Sequence, residues 1–166
     1  MAKGKVILTL GNDISTDIIY PGRYMATVLP SETPQFAFAD DAAFNRALQE
    51  KQFPEGSFIV AGDNFGCGSS REQAASCITG YKLIVVARNF ARIFLQNSIN
   101  VGLQMIICPD IEADEGDELE IRDNKVWNLT SGKSFAIEGL PKARQAIIDA
   151  GGLIPYARRL LLERAA

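Results

Sequence analysis

Gly62-Asp63-Asn64-Phe65-Gly66-Cys67-Gly68-Ser69-Ser70-Arg71-Glu72-Gln73 is the stretch that decides how this chain folds. It follows the apolar run Phe58-Ile59-Val60-Ala61 and leads into a segment, 71–79, that reads as a helix. A strand therefore hands over to a helix across a glycine-rich turn, the repeating unit of α/β sheets. A helix start presents unpaired N–H groups and the positive end of the helix dipole, and so attracts carboxylates and phosphates. Glycines let that backbone come close to a ligand. With two hydroxyls and a guanidinium on the turn, the expected ligand is a small anion, gripped by Arg71 and addressed by a serine.

Ser69 with Glu72 and Ser70 with Gln73 each fit the S-x-x-E/Q capping pattern. A helix needs only one such cap, which contributes about 1 kcal/mol. One serine is then structural and the other is free for chemistry. The turn matches neither G-x-x-x-x-G-K-[ST] nor G-x-G-x-x-G, which argues against a nucleotide. Cys67, between two glycines, reads as a small turn residue rather than a nucleophile, because the chain contains no histidine to activate it.

Outward from this turn, the pattern repeats. Leu83 to Ala87 and Gln104 to Cys108 read as buried strands, with a helix over 89–97 between them that offers Phe90, Ile93 and Phe94 to a core. Upstream, Val6 to Leu10 reads as a strand and 40–51 as a helix with Ala43, Phe44, Ala47 and Leu48 on one face. The order β-α-β-α-β predicts a mostly parallel sheet flanked by helices. Beyond Pro109, short runs at 119–121, 126–129 and 134–137, parted by turn residues, predict a small antiparallel meander. Helices follow from Pro141 to Ala150, stopped by Gly151-Gly152, and over 156–163. The whole, 1–166, reads as one compact α/β domain. Segment 14–34, with three prolines, is either a functional loop or a packed connector.

With 47% hydrophobic and 22% charged residues and a net charge of −3, the balance is that of a soluble globular protein without nucleic-acid affinity. The first apolar run is too short for a leader or a membrane span. Cys67, Cys77 and Cys108, an odd number at unrelated spacings, suggest reduced thiols and a cytoplasmic location. They also lie too far apart in sequence for a cluster motif, so no metal is expected on this chain. A serine base here must rely on N–H groups, on Arg71 or on a second chain. Arg23, Arg88 and Arg92 are further cations that could face the same cleft, and Asp17 is read as a turn former.

The turn at 62–73 resembles the signature of the aconitase-type hydro-lyases, and in particular their separate small swivelling subunits of the isopropylmalate dehydratase and homoaconitase-like kinds. Supporting matches run through Gly11-Asn12-Asp13-Ile14-Ser15-Thr16-Asp17-Ile18-Ile19, through 89–94 and 97–103, and through Ala150-Gly151-Gly152-Leu153-Ile154-Pro155-Tyr156. The resemblance implies a swivelling β/β/α domain and a heterodimeric or heterotetrameric enzyme. Its large subunit would carry a [4Fe–4S] cluster acting as a Lewis acid. This chain would supply the base, Ser69, with Ser70 and Arg71 holding a substrate carboxylate. The implied reaction is isomerisation of a small hydroxy dicarboxylate by dehydration and rehydration, that of 2- and 3-isopropylmalate in leucine biosynthesis being the first expectation.

The resemblance also implies that the loop Tyr24-Met25-Ala26-Thr27 lines the pocket and tunes it. Homoaconitase-like relatives have an arginine in place of Ala26, so a third substrate carboxylate is not expected, and an apolar or small substituent is. Citraconate or methylmalate, dimethylmaleate and homoaconitate types stay as alternatives, as does a non-catalytic dicarboxylate-binding module. Family members often show serine where Asn89 stands, a minor departure.

Overall fold

The computed structural model describes residues 2–166. Seven strands form one curled sheet: β1 (Ala2–Thr9), β2 (Phe58–Ala61), β3 (Ile84–Ala87), β4 (Gln104–Ile107), β5 (Glu118–Arg122), β6 (Lys125–Asn128) and β7 (Lys133–Ala136). Their order is β4-β3-β2-β1-β5-β6-β7. The β4 to β1 half is parallel, in the register Phe58 to Ile84 and Val85 to Met105. The β1 to β7 half is antiparallel. The predicted meander is thus no appendage. It continues the parallel sheet through β1, which starts earlier than the apolar run suggests because Lys3 and Lys5 alternate with residues facing inward.

Six helices complete the fold: α1 (Thr16–Ile19), α2 (Ala42–Gln49), α3 (Glu72–Thr79), α4 (Arg92–Val101), α5 (Lys142–Asp149) and α6 (Leu153–Ala165). Phe44 and Leu48 of α2, Ile78 of α3, Phe94 and Ile99 of α4 and Ile148 of α5 share one core with Ile59, Ala61, Val85 and Ala87. The helices therefore cover one face of the parallel half. Alternate residues of the same strands, Phe58, Val60, Ile84 and Val86, point the other way and meet Leu119 and Val126 of the curled-over antiparallel half. Burial on both faces is why β2 and β3 read as unbroken apolar runs. The curl ends where Glu138 N–H donates to Ile107 C=O at 2.8 Å, so the last strand leans back onto the β4 edge.

The helix expected over 89–97 shifts. Residues 89–91 are extended, because Phe90 bridges to Phe65 and the Asn89 side chain accepts from Asn64 N–H. The helix begins only at Arg92 and runs to Val101, where Gly102 takes the left-handed conformation that ends it. This rotation leaves Ile93, expected in the core, 47% exposed. Segment 14–34 contains α1 and two short 3₁₀ turns, anchored by the stacking of Tyr24 on Phe36 at 4.0 Å and by a buried Thr33–Ser76 hydroxyl pair at 3.0 Å.

Candidate functional site

Three connections leave the C-terminal ends of the parallel strands β1, β2 and β3, the edge where open α/β sheets place ligands. They are joined into one ledge. Gly66 N–H donates to Ile14 C=O at 2.7 Å, Thr16 N–H to Cys67 C=O at 2.8 Å, and Ala91 N–H to Phe65 C=O at 2.9 Å. Asn12 Oδ1 accepts from Asp63 N–H at 2.8 Å and Asn64 Nδ2 donates to Asp13 Oδ1 at 2.9 Å. Gly66 sits at φ 84°, and a Cβ there would lie 2.2 Å from the Phe94 ring, so glycine is required on both counts.

The ledge delivers Ser69 to the surface and turns back through Ser70 into α3. Neither serine caps the helix. The N-cap residue is Arg71, without a side-chain cap bond, and the helix proper starts at Glu72. The capping expectation fails because the helix starts one residue late: Ser70 and Ser69 lie one and two positions before the cap, too far out to reach its N–H groups. Gln73 does not reach back either. Its Nε2 donates to Met25 C=O at 3.1 Å. Ser69 C=O is instead held by Arg71 N–H at 3.0 Å and by Thr16 Oγ1 at 3.1 Å, and the Thr16 and Ser69 hydroxyls lie 3.2 Å apart. Ser70 is exposed beside them.

Arg71 is the buried cation of the site, its side chain only 11% exposed. Nη1 donates to the Asp17 carboxylate and to Tyr20 C=O, the latter at 3.1 Å, while Nε is buried without a partner. Asp17 Oδ1 also accepts from Gly22 N–H at 3.0 Å, and its own N–H is capped by Ser15 Oγ. The Arg71 hydrogen bond holds the Asp17 carboxyl below the usual carboxylate range. Asp17 does form the expected turn, but its part in the site was missed. The available signal was Arg71 itself, since a guanidinium tucked against a helix start requires an anionic partner.

The loop Tyr24 to Thr27 lies against the first turn of α3. Its carbonyls are pinned: Tyr20 Oη donates to Tyr24 C=O and Thr27 C=O at 3.2 and 3.3 Å, and Gln73 holds Met25. Burial raises the Tyr20 phenol above its usual range, which keeps it a donor. The side chains of Met25 and Ala26 are exposed, next to Val28 and Leu29. Of the other candidate cations, Arg23 pairs with Asp40 at 2.7 Å and lies over the Tyr24 ring. Arg88 lines a separate cavity of about 400 Å³ with Asn12 and Glu112. Arg92 lines another, with Arg144. The structure thus brings together Ser69, Ser70, Arg71 and the 24–27 loop, adds Thr16 and Asp17, and leaves Arg88 and Arg92 apart.

Among the described residues this ledge is open, with Ser69 and Ser70 exposed to solvent. The residues do not suit an iron–sulfur cluster: among the described residues no three His, Cys, Asp or Glu converge as metal ligands. Cys77 and Cys108 are buried apart, the former's thiol pushed far up and the latter's to about 11 by burial, and Cys67 stands alone in the turn. Thiolate ligation needs the opposite shift. Nor, among the described residues, is any helix long and apolar enough to cross a membrane.

Residues 14–110 match the family model of the aconitase C-terminal domain. A 3-isopropylmalate dehydratase small subunit from Methanosarcina mazei is 42% identical over 158 residues, covering 93% of this chain and 95% of its own. An isopropylmalate/citramalate isomerase small subunit from Methanocaldococcus jannaschii is 41% identical, covering 97% and 96%. The crystal structure of 3-isopropylmalate dehydratase (leuD) from the latter organism superposes with a TM-score of 0.88 at 38% identity, over 99% of this chain and 97% of that one. The chain belongs to the aconitase C-terminal domain family, and within it to the small subunits of 3-isopropylmalate dehydratases.

Proposed function

We propose that this chain is the small subunit of a hydro-lyase that interconverts 2-isopropylmalate and 3-isopropylmalate by dehydration and rehydration, in the cytoplasm and in the service of leucine biosynthesis. It works as one swivelling domain, in a heterodimer or heterotetramer with a large subunit that bears the [4Fe–4S] cluster. The observation that carries this reading is the half-site. A solvent-exposed serine hydroxyl and a mostly buried, oriented guanidinium stand on one rigid turn beside an apolar loop, and among the described residues no three metal donors converge.

Within that reading each residue has one task. Ser69 Oγ removes the proton alpha to a carboxylate, its negative charge offset by the nearby helix start and by Arg71. Ser70 Oγ and the Arg71 edge not taken by Asp17 hold that carboxylate. Met25 and Ala26 meet the alkyl substituent, where exposed apolar contacts suit an isopropyl group. The departure of the hydroxyl falls to the partner.

The isomerase relative that also names citramalate supports a second substrate reading, in which the same loop accepts a methyl group. Reconstitution with the large subunit under anaerobic conditions, assayed on 2-isopropylmalate and citraconate in parallel, tests both. A complex that carries about four irons and four sulfides but turns over neither substrate would reject the proposal, as would full turnover by Ser69→Ala.

A further inference from the structure

We infer that Thr16 is a positioning residue for the proposed base, a hydroxyl that redirects its single proton from the Ser69 carbonyl to Ser69 Oγ when that oxygen becomes negative. The inference rests on the assignment of Ser69 as base and deepens it. Thr16 Oγ1 lies 3.1 Å from Ser69 C=O and 3.2 Å from Ser69 Oγ. A carbonyl oxygen can only accept, so the bond to it uses the one proton Thr16 has. The Ser69 hydroxyl must then donate to the Thr16 lone pair. Loss of the Ser69 proton to solvent reverses the need, and rotation about the Thr16 Cβ–Oγ1 bond meets it.

The carbonyl left behind is not orphaned, because Arg71 N–H still donates to it at 3.0 Å. When substrate returns a proton from carbon to Ser69 Oγ, the first arrangement is restored. Only O–H and C–H bonds change, and the proton count balances at each stage.

The rest of Thr16 is fixed for this purpose. It is 2% exposed, its N–H donates to Cys67 C=O and its C=O accepts from Tyr20 N–H, both at 2.8 Å. Water therefore does not compete for the hydroxyl, and the backbone does not drift from Ser69. The ionisable groups around Ser69 are Arg71 and Asp17, paired with each other, the Cys67 thiol in the turn, and Glu72 at the start of α3.

The test compares Thr16→Val, Thr16→Ser and Ser69→Ala in the reconstituted complex, in a Cys67→Ser background that removes the thiol from the pH profile. Hydrogen bonds to charged groups contribute more than neutral ones, so Thr16→Val is expected to lower kcat about 10- to 100-fold. KM should change little, and the ascending limb of the kcat profile should move up by about one pH unit. Thr16→Ser should restore both. An unmoved limb in assembled Thr16→Val, or a Thr16→Ser as impaired as Thr16→Val, would overturn the inference while leaving the base assignment standing. Active Ser69→Ala would overturn the base assignment itself. If Thr16→Val does not assemble, Thr16→Cys, a weaker donor of similar shape, must shift the limb in the same direction, and an unmoved limb there also overturns it.

Discussion

The ledge 62–71 and the loop 22–29 border the same half-site but are held in different ways. On the ledge the backbone is fixed and Arg71 with it: Gly66 meets the Phe94 ring, amides cross between three connections, and Arg71 is almost fully enclosed. In the loop the backbone is fixed through carbonyls held by Tyr20 and Gln73, and beyond the anchored Arg23 and Tyr24 the side chains of Met25, Val28 and Leu29 project 49%, 65% and 55% exposed. A loop pinned by its carbonyls can change side chains without moving. The difference teaches where chemistry and selectivity can be kept apart, because the ledge constrains its backbone at Gly66 and its cation at Arg71, whereas the exposed side chains of the loop do not set its shape.

The sharpest way to test this division is Ser69→Ala. It should lower turnover of the complex by about 10²- to 10⁴-fold, the usual contribution of a general base, with assembly by size-exclusion chromatography unchanged. Gly66→Ala attacks the ledge through its backbone. Strain at positive φ and the clash with Phe94 should cost about 2–4 kcal/mol, read by urea denaturation, and an unchanged midpoint would show the ledge to be softer than described. Arg71→Lys keeps the charge but loses the planar fork that pairs with Asp17 and is proposed to hold substrate. A 10- to 100-fold rise in KM, on the order of 1.5–3 kcal/mol, is expected from steady-state kinetics.

The loop should respond otherwise. Ala26→Arg, on an exposed side chain, should shift the ratio of kcat/KM values away from alkyl-substituted and toward tricarboxylic substrates by about tenfold, while the melting temperature moves by no more than about 2 °C. The smallest effect concerns acid. The Asp17 carboxyl is lowered in the folded chain, so its pairing with Arg71 is fully present above the ordinary value of 3.8 and is lost only as pH falls through the lowered one. Carboxyl ¹³C shifts followed from pH 6 downward should show Asp17 titrating below the ordinary value.

Much of this was legible in the sequence for a physical reason. Strands β2 and β3 are buried on both faces and so read as uninterrupted apolar runs, and the glycines between β2 and α3 mark a turn that no other residue could make. What stayed hidden depends on distance along the chain. Thr16 and Ser69 are 53 residues apart and Asp17 and Arg71 are 54 apart, so no local spacing announces either pair. The capping pattern at Ser69 and Ser70 was misleading because a cap is decided by one residue of helix phase. The exposure of Ile93 has the same origin, a helix beginning three residues later than its aromatics suggest.

The contact between Glu138 and Ile107 carries one more implication, for the chain while it is being made. The bridge just past β7 pairs one point of the β4 margin, and a free margin is what recruits stray strands from other molecules. A nascent chain that has not yet reached Glu138 lacks this protection and exposes the β4 margin in full. The short stretch just past β7 thus shields part of a sheet margin during synthesis as well as closing the curl afterwards.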